Sequence, residues 1–470
     1  MRKSLIVTSL SIALSGCALI HSNTAPWSGA PQGWRTEQGA MARTAADALA
    51  VRFWQQYGDP VLDSLEEEAL KASPDVRVAA ARVEAFRAQV TATSADRFPQ
   101  FGVGATAGRG KGGTQFPAYT SNLFSLFASL SWEIDLWGRL TRLTDAARAD
   151  LLGEEAAQRG VYLTLAAAVA TSYLNLRQLD AQLEITRGTV KLRKDSVDLF
   201  QLRFEGGVIS ELELSQVQSE YESAAAAVPQ IEAQIGQTEN ALAVLLGRNP
   251  GPIERGRRID EFVPPDVPAG LPSELITRRP DIQQAEAALS ASDARVDAAR
   301  LAWFPTISIT GLFGYASTDL SHLFNAPNRT WNGVASIAQP VFDAGKINAN
   351  IDIERANRQI AEAQYQKTVQ TAFQEVDNAL VSRQKQIEEL DAKTAQVKAL
   401  SRYSELARLR YENGYTSYLE VIDAERQLFS GQLDVVSTQT SLLASTIELY
   451  RSLGGTWMDG YVDAEKTAQR

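Results

Sequence analysis

From Asn122 to Trp137 the chain reads NLFSLFASLSWEIDLW, with Phe124, Leu126, Ala128, Leu130, Trp132, Ile134 and Leu136 on one side of a period-two pattern. Ser125, Ser129, Ser131, Glu133 and Asp135 occupy the other side. Strict alternation marks a strand. A run of about fourteen residues is long for a soluble sheet and suits a tilted membrane strand. On that reading Phe124, Leu126, Leu130 and Trp132 form the outward face. Upstream, RFPQFGVGATAG alternates more weakly, with Phe101, Val103, Ala105 and Ala107 on one side, and a glycine-rich loop joins the two into a hairpin over 98–137. A second, fainter hairpin is predicted over 304–343, from FPTISITGLFGYAS and TWNGVASIAQPVFDAG, with Pro340 closing its last strand. Taken alone, such strands also fit a half-buried soluble sheet.

The remaining pattern is helical on an unusual scale. No proline occurs from Arg139 to Phe204, or anywhere after Pro340, and glycines are sparse in both stretches. About 65 residues of helix make a rod of roughly 100 Å, against a usual helix of about three turns. Apolar stripes such as Leu192, Leu199 and Leu202 are modest, which predicts helix-on-helix packing with one wet face. Each rod runs into a sharp reversal, LRFEGGVISELEL from Leu202 and LRYENGYTSYLEV from Leu409. Gly206 with Gly207, and Asn413 with Gly414, stop the helix. Ser210 with Glu213, and Ser417 with Glu420, read as capping boxes that start the next one.

These echoes run along most of the chain. PDVRVAAARVEAFRAQ at Pro74 answers PDIQQAEAALSASDAR at Pro280, an offset of 206 that Pro99 and Pro305 share. Gly138 and Gly345, the two turns, and Gly247 and Gly454 are each 207 apart. One residue of drift over that distance indicates a duplicated unit. The predicted organisation is a signal peptide (1–16), a lipidated N-terminal segment (17–60), repeat one (61–250, with its long helical hairpin over 138–250), a proline-rich linker (251–272), repeat two (273–455, helical hairpin 344–455) and a tail (456–470). Each repeat is thus helix, β-hairpin, long helix, turn and returning helix, with hairpins and turns at opposite ends of a long object.

Composition narrows the function. The chain carries a net charge of −10, which argues against a nucleic-acid partner. Two histidines and one cysteine are too few for common metal, thiol or Ser-His chemistry, so neither an enzyme nor a metal or cofactor site is expected. No segment after residue 17 is apolar enough for a transmembrane helix, so a membrane crossing must use strands. Four strands cannot close a transmembrane barrel, and open edges cannot sit in lipid. Several copies of the chain must therefore supply the rest. At the N-terminus, Arg2 and Lys3, a short apolar run and LSGC before Cys17 resemble a bacterial lipobox. That resemblance implies cleavage before Cys17 and attachment of lipid there, palmitate included; Ala18 in the next position favours the outer membrane.

The lipobox, the FP before each hairpin, WEIDLWGR leaving the first, and the paired LRFEGGVISELEL and LRYENGYTSYLEVIDAERQL together resemble the TolC superfamily of outer-membrane efflux channels. Within it they resemble the lipoprotein branch that contains OprM and CusC. The resemblance covers essentially the whole chain after Cys17. It implies a mainly α homotrimer with membrane β structure: a twelve-stranded outer-membrane β-barrel, four strands per protomer, continuing into a long periplasmic α-helical barrel. It also implies a periplasmic adaptor and an inner-membrane pump of the resistance-nodulation-division type as partners. Gly206, Gly207, Ser210 and Leu212, with Gly414, Ser417 and Leu419, would meet the adaptor. Leu419, Asp423 and Arg426 would form the periplasmic gate: an apolar ring, an acidic ring and the partner that holds the closed state. Repeat one has Gln216 and Ser219 where repeat two has Asp423 and Arg426, so the gate charges belong to repeat two. The cargo is expected to be small molecules, in passive flow; a protein-secretion duct is the alternative within the same class. A lipid-anchored coiled-coil scaffold without a pore would explain the rods and Cys17 but neither the alternating hairpins nor the repeat.

Overall fold

The computed structural model describes residues 31, 34, 52–112, 119–265, 267, 272–455, 457, 458 and 461. Cys17 with its lipobox, and most of the expected N-terminal segment and C-terminal tail, lie outside the described residues. A 3-10 turn at Phe53–Tyr57 leads into α1 (Pro60–Ala72) and α2 (Pro74–Ala95). Strands β1 (Gln100–Gly112) and β2 (Tyr119–Ile134) follow, then α3 (Arg139–Glu205) and α4 (Glu211–Leu245). The second half repeats the order: α5 (Pro272–Arg278), α6 (Pro280–Leu301), β3 (Thr306–Ser317), β4 (Arg329–Ala338), α7 (Lys346–Glu412) and α8 (Tyr418–Leu453). The two rods, α3 and α7, are each 67 residues long.

Both rods start the same way. Gly138 (φ 85°) and Gly345 (φ 89°) take left-handed backbone just before each helix. Asp135 accepts from the amides of Leu140 (3.0 Å) and Thr141 (2.7 Å). Asp343 accepts from those of Gly345 (2.9 Å) and Ile347 (2.7 Å). Each carboxylate thus satisfies donors that a helix start leaves orphaned. Ala344 is the one described non-glycine residue with positive φ, at 53°.

Contacts divide the chain into two compact units, and each draws on both repeats. One unit contains Arg82–Glu155 and Gln284–Lys367. Its centre is a four-stranded antiparallel sheet in the order β1-β2-β3-β4. Ion pairs tie its helices: Arg87 with Glu155 (3.1 Å), Arg358 with Asp293 (2.5 Å), and Arg295 with Asp150.

The other unit contains Ala30–Ala81, Ala156–Gln283 and Thr368–Arg470. Its core includes Phe53, Trp54, Leu62, Tyr173, Leu174, Leu242 and Ile259, all essentially without exposure. The expected linker is part of this core. Ile253, Ile259 and Phe262 are buried. Buried Asp59 accepts from the Tyr173 hydroxyl (2.8 Å) and the amides of Val61 (2.9 Å) and Arg257 (3.0 Å). A Cβ on Gly256 would lie 2.1 Å from that carboxylate, so no other residue fits there. The duplication persists in the packing. Gly247 and Gly454, 207 apart, both adopt left-handed backbone; a Cβ would meet the Ala72 carbonyl at 2.4 Å or the Arg279 backbone at 3.0 Å.

Candidate functional site

The first turn closes as a Schellman motif. The Gly207 amide donates to the Phe204 carbonyl (2.9 Å) and that of Val208 to Arg203 (2.9 Å), with Gly207 at φ 68°. In the second turn Gly414 donates to Tyr411 and Tyr415 to Arg410, both at 2.9 Å, with Gly414 at φ 75°. The left-handed position is therefore the second residue of each stop pair; Gly206 and Asn413 are not left-handed.

The two turns then diverge. Ser210 and Glu213 form the expected capping box: the Glu213 amide donates to the serine oxygen (3.3 Å) and the Ser210 amide to the glutamate (2.9 Å). The second box does not form, and Ser417 makes no side-chain cap. Its glutamate is occupied elsewhere, since Glu420 accepts from Arg410 (2.8 Å) and from Thr416. An arginine's charge outcompetes a backbone amide for that carboxylate. The counterpart of Arg410 in repeat one, Arg203, donates instead to the Tyr411 hydroxyl (2.7 Å) and stacks over Phe200 and Tyr411. Phe200, Leu214, Val217 and Ile422 form a buried cluster beneath the turns, with Tyr418 and Tyr411 packed on it. The sequence reading missed this aromatic knot. Part of its signal lay in view, as Tyr411 and Tyr418 within the second echoed stretch, while Phe200 lies two residues before the first.

All seven residues expected to contact an adaptor, Gly206, Gly207, Ser210, Leu212, Gly414, Ser417 and Leu419, are exposed. Large apolar residues are exposed here at the repeat offset: Leu202 with Leu409, Val208 with Tyr415, and Leu212 (68%) with Leu419 (58%). Asp423 and Arg426 lie 3.6 Å apart on the surface of α8. Gln427 also donates to Asp423 (2.7 Å). Tyr403 of α7 lies beside them, and desolvation followed by the carboxylates of Asp423 and Glu420 holds its phenol above the ordinary value. Tyr403, Asp423 and Arg426 line an open cleft of about 780 Å³. One wall carries Leu419, Asp423 and Arg426; facing it on α4 are Leu212, Gln216, Ser219 and the acidic Glu220. The structure thus brings the charged positions of repeat two opposite their uncharged counterparts in repeat one.

In the sheet, register decides the faces. Ala107 opposes Phe124, Ala105 Leu126, Val103 Ala128 and Phe101 Leu130. Across β2 and β3, Leu126 opposes Tyr315, Ala128 Phe313 and Trp132 Ile309. Phe313 opposes Trp331, Ile309 Ala335 and Ile307 Ile337. Opposed residues point to the same side, so one face is apolar across all four strands, and Phe124, Leu126, Leu130 and Trp132 belong to it. The other face carries Thr106, Ser125, Ser129, Ser131, Ser308, Thr310 and Ser336, with Phe127 an exception flanked by Gly104 and Gly314. Among the described residues, β1 and β4 each have one edge without a strand partner. Among the described residues no helix is long and apolar enough to cross a membrane, and no group of His, Cys, Asp and Glu could hold a metal ion.

The outer membrane efflux protein family matches residues 65–248 and 271–455. The chain is 36% identical over 482 residues to the antibiotic efflux pump outer membrane protein ArpC of Pseudomonas putida, covering 100% of this chain and 99% of that protein. It is 35% identical over 452 residues to the cation efflux system protein CusC of Escherichia coli K12, covering 95% of this chain and 98% of CusC. A crystal structure of CusC, solved in work on its folding and transmembrane channel formation, matches with a TM-score of 0.82 at 34% identity, over 93% of this chain and 99% of that one.

Proposed function

The chain belongs to the outer membrane efflux protein family and is an outer-membrane efflux channel, and from that premise we propose how it works. Three copies close one pore, each giving four strands to a twelve-stranded barrel whose apolar face, with Phe124, Leu126, Leu130 and Trp132, meets lipid. The helical hairpins form a periplasmic tunnel, and lipid on Cys17 anchors each copy to the outer membrane. A periplasmic adaptor docks on the exposed turns and couples the channel to an inner-membrane pump of the resistance-nodulation-division type. Small molecules then pass down their gradient. The observation that carries this reading is the sheet: an apolar face continuous over four strands, with two unpaired edges, has no stable use in a lone chain in water or in lipid. Leu202, Val208 and Leu212, exposed again at Leu409, Tyr415 and Leu419, support docking at both turns.

Closure is assigned to Leu419, Asp423 and Arg426. Within one chain the Asp423–Arg426 pair is an exposed i, i+3 contact worth a few tenths of a kcal/mol. Threefold symmetry changes its weight: three Asp423 carboxylates brought near one axis repel, and the three Arg426 guanidinia more than offset that repulsion, so the charged set as a whole holds the mouth closed and its removal favours opening. Purified protein in a planar bilayer is expected to give rare, stepwise openings. Oligomers that insert and never conduct would contradict the pore.

A further inference from the structure

Along α3, Ala181, Ile185, Gly188 and Leu192 follow one another at helical spacing, and along α8 so do Glu425, Phe429, Gln432, Val436 and Gln439. These two faces, with Arg258 and Asp260 from the chain after α4, bound an open-sided cavity of about 500 Å³. That volume suits an organic small molecule. The described residues that line it are all different from those of the gate cleft. Nearer the turns the two helices close on each other, where Phe200 meets Tyr418 at 4.3 Å between ring centres. Farther along they leave a gap, and α3 places a glycine in it. Among the described residues, a Cβ on Gly188 would meet nothing within 4 Å, so no close approach requires this glycine. Glycine weakens a helix interior, and here it keeps a space open.

Charge decides which molecule. The floor of the cavity is apolar, with Ile185, Leu192, Leu428, Phe429 and Val436. Two of its charged side chains are matched from outside the lining, Arg193 by Glu220 (3.1 Å) and Glu425 by Arg408 (2.7 Å). At the mouth two carboxylates share one guanidinium, since Arg258 pairs with both Glu184 (3.0 Å) and Asp260 (3.2 Å). One negative charge is left over there. Phe429 already holds a cation over its ring, with the Arg193 guanidinium 5.8 Å from the centroid. We propose that this cavity binds a singly charged organic cation, its apolar or aromatic body on the α3–α8 floor and its charge beside Glu184 and Asp260. An anion would be repelled at the mouth, and a neutral molecule would gain nothing from it. The site does not depend on the pore.

Ethidium, a singly charged aromatic cation that fluoresces, is the probe. The purified wild type in phosphatidylcholine nanodiscs is titrated by fluorescence anisotropy, with empty nanodiscs as the baseline. Gly188→Phe fills the cavity from α3, and Gly236→Phe adds the same ring at another open helix position outside it. Glu184→Gln/Asp260→Asn removes the charge at the mouth and leaves the floor intact. The expected result is saturable binding by the wild type and by Gly236→Phe, weakened about tenfold or more in Gly188→Phe and about threefold in the charge variant. A wild type that binds no more dye than empty nanodiscs would overturn the site. So would a Gly188→Phe titration that matches the wild type in a protein of unchanged oligomeric size. Undiminished binding by the charge variant, with Gly188→Phe impaired, would overturn the cation and assign the cavity to a neutral molecule.

Discussion

Glu66 on α1 is a carboxyl with no exposure and no hydrogen-bond partner on either oxygen. Burial raises its pKa well above the ordinary carboxyl value; the Ala170 backbone nearby pulls the other way, and the Asp63 carboxylate adds a smaller push upward. The folded state therefore holds a proton that the unfolded chain releases in mild acid. The stability tied to that proton is fully present below the unfolded pKa, about 4.3, and is lost as pH rises through the folded one. Thermal unfolding of the wild type is expected to weaken from pH 5 to pH 9 more steeply than that of Glu66→Gln, which should be the more stable protein at pH 9. Parallel curves would contradict a buried neutral Glu66. Ala344 offers a second residue-scale test. Its left-handed backbone costs a β-carbon of order 1 kcal/mol, so Ala344→Gly is expected to raise the unfolding midpoint, read in the same assay.

Among elements, legibility followed how much of the signal was carried by side chains. β2 was plain because every second residue of it is apolar. β1 was faint because its other face is Gly102, Gly104, Thr106, Gly108 and Gly110, and glycines carry no hydropathy contrast. The rods were plain because 67 residues without proline admit little else. The second capping box was misread because its local pattern is identical to the first. What decides between them is the partner chosen by one arginine, with Arg203 going to Tyr411 and Arg410 to Glu420. That choice depends on tertiary neighbours, which no window of sequence contains. It predicts an asymmetry between the turns. Ser210→Ala should cost about 1 kcal/mol of protection at the start of α4, and Ser417→Ala much less at the start of α8, as read by amide hydrogen exchange. Equal losses would mean that the second box forms after all.

At the scale of the whole molecule, duplication supplies the architecture, and the charges of the proposed gate are where the two repeats diverge. Start signals of the rods, stop signals at the turns, close-packed glycines and exposed apolar residues all recur at the repeat offset. The Asp423–Arg426 pair does not, since Gln216 and Ser219 stand at the equivalent positions across the cleft. The gate proposed above resides in repeat two only, and single-channel recording in planar bilayers is its direct test. Asp423→Ala/Arg426→Ala is compared with the mirror variant Gln216→Ala/Ser219→Ala. The first is expected to open far more often than the wild type, while the mirror variant keeps the wild type's rare openings. Equal opening of the two variants, or wild-type behaviour from both, would contradict a gate confined to repeat two.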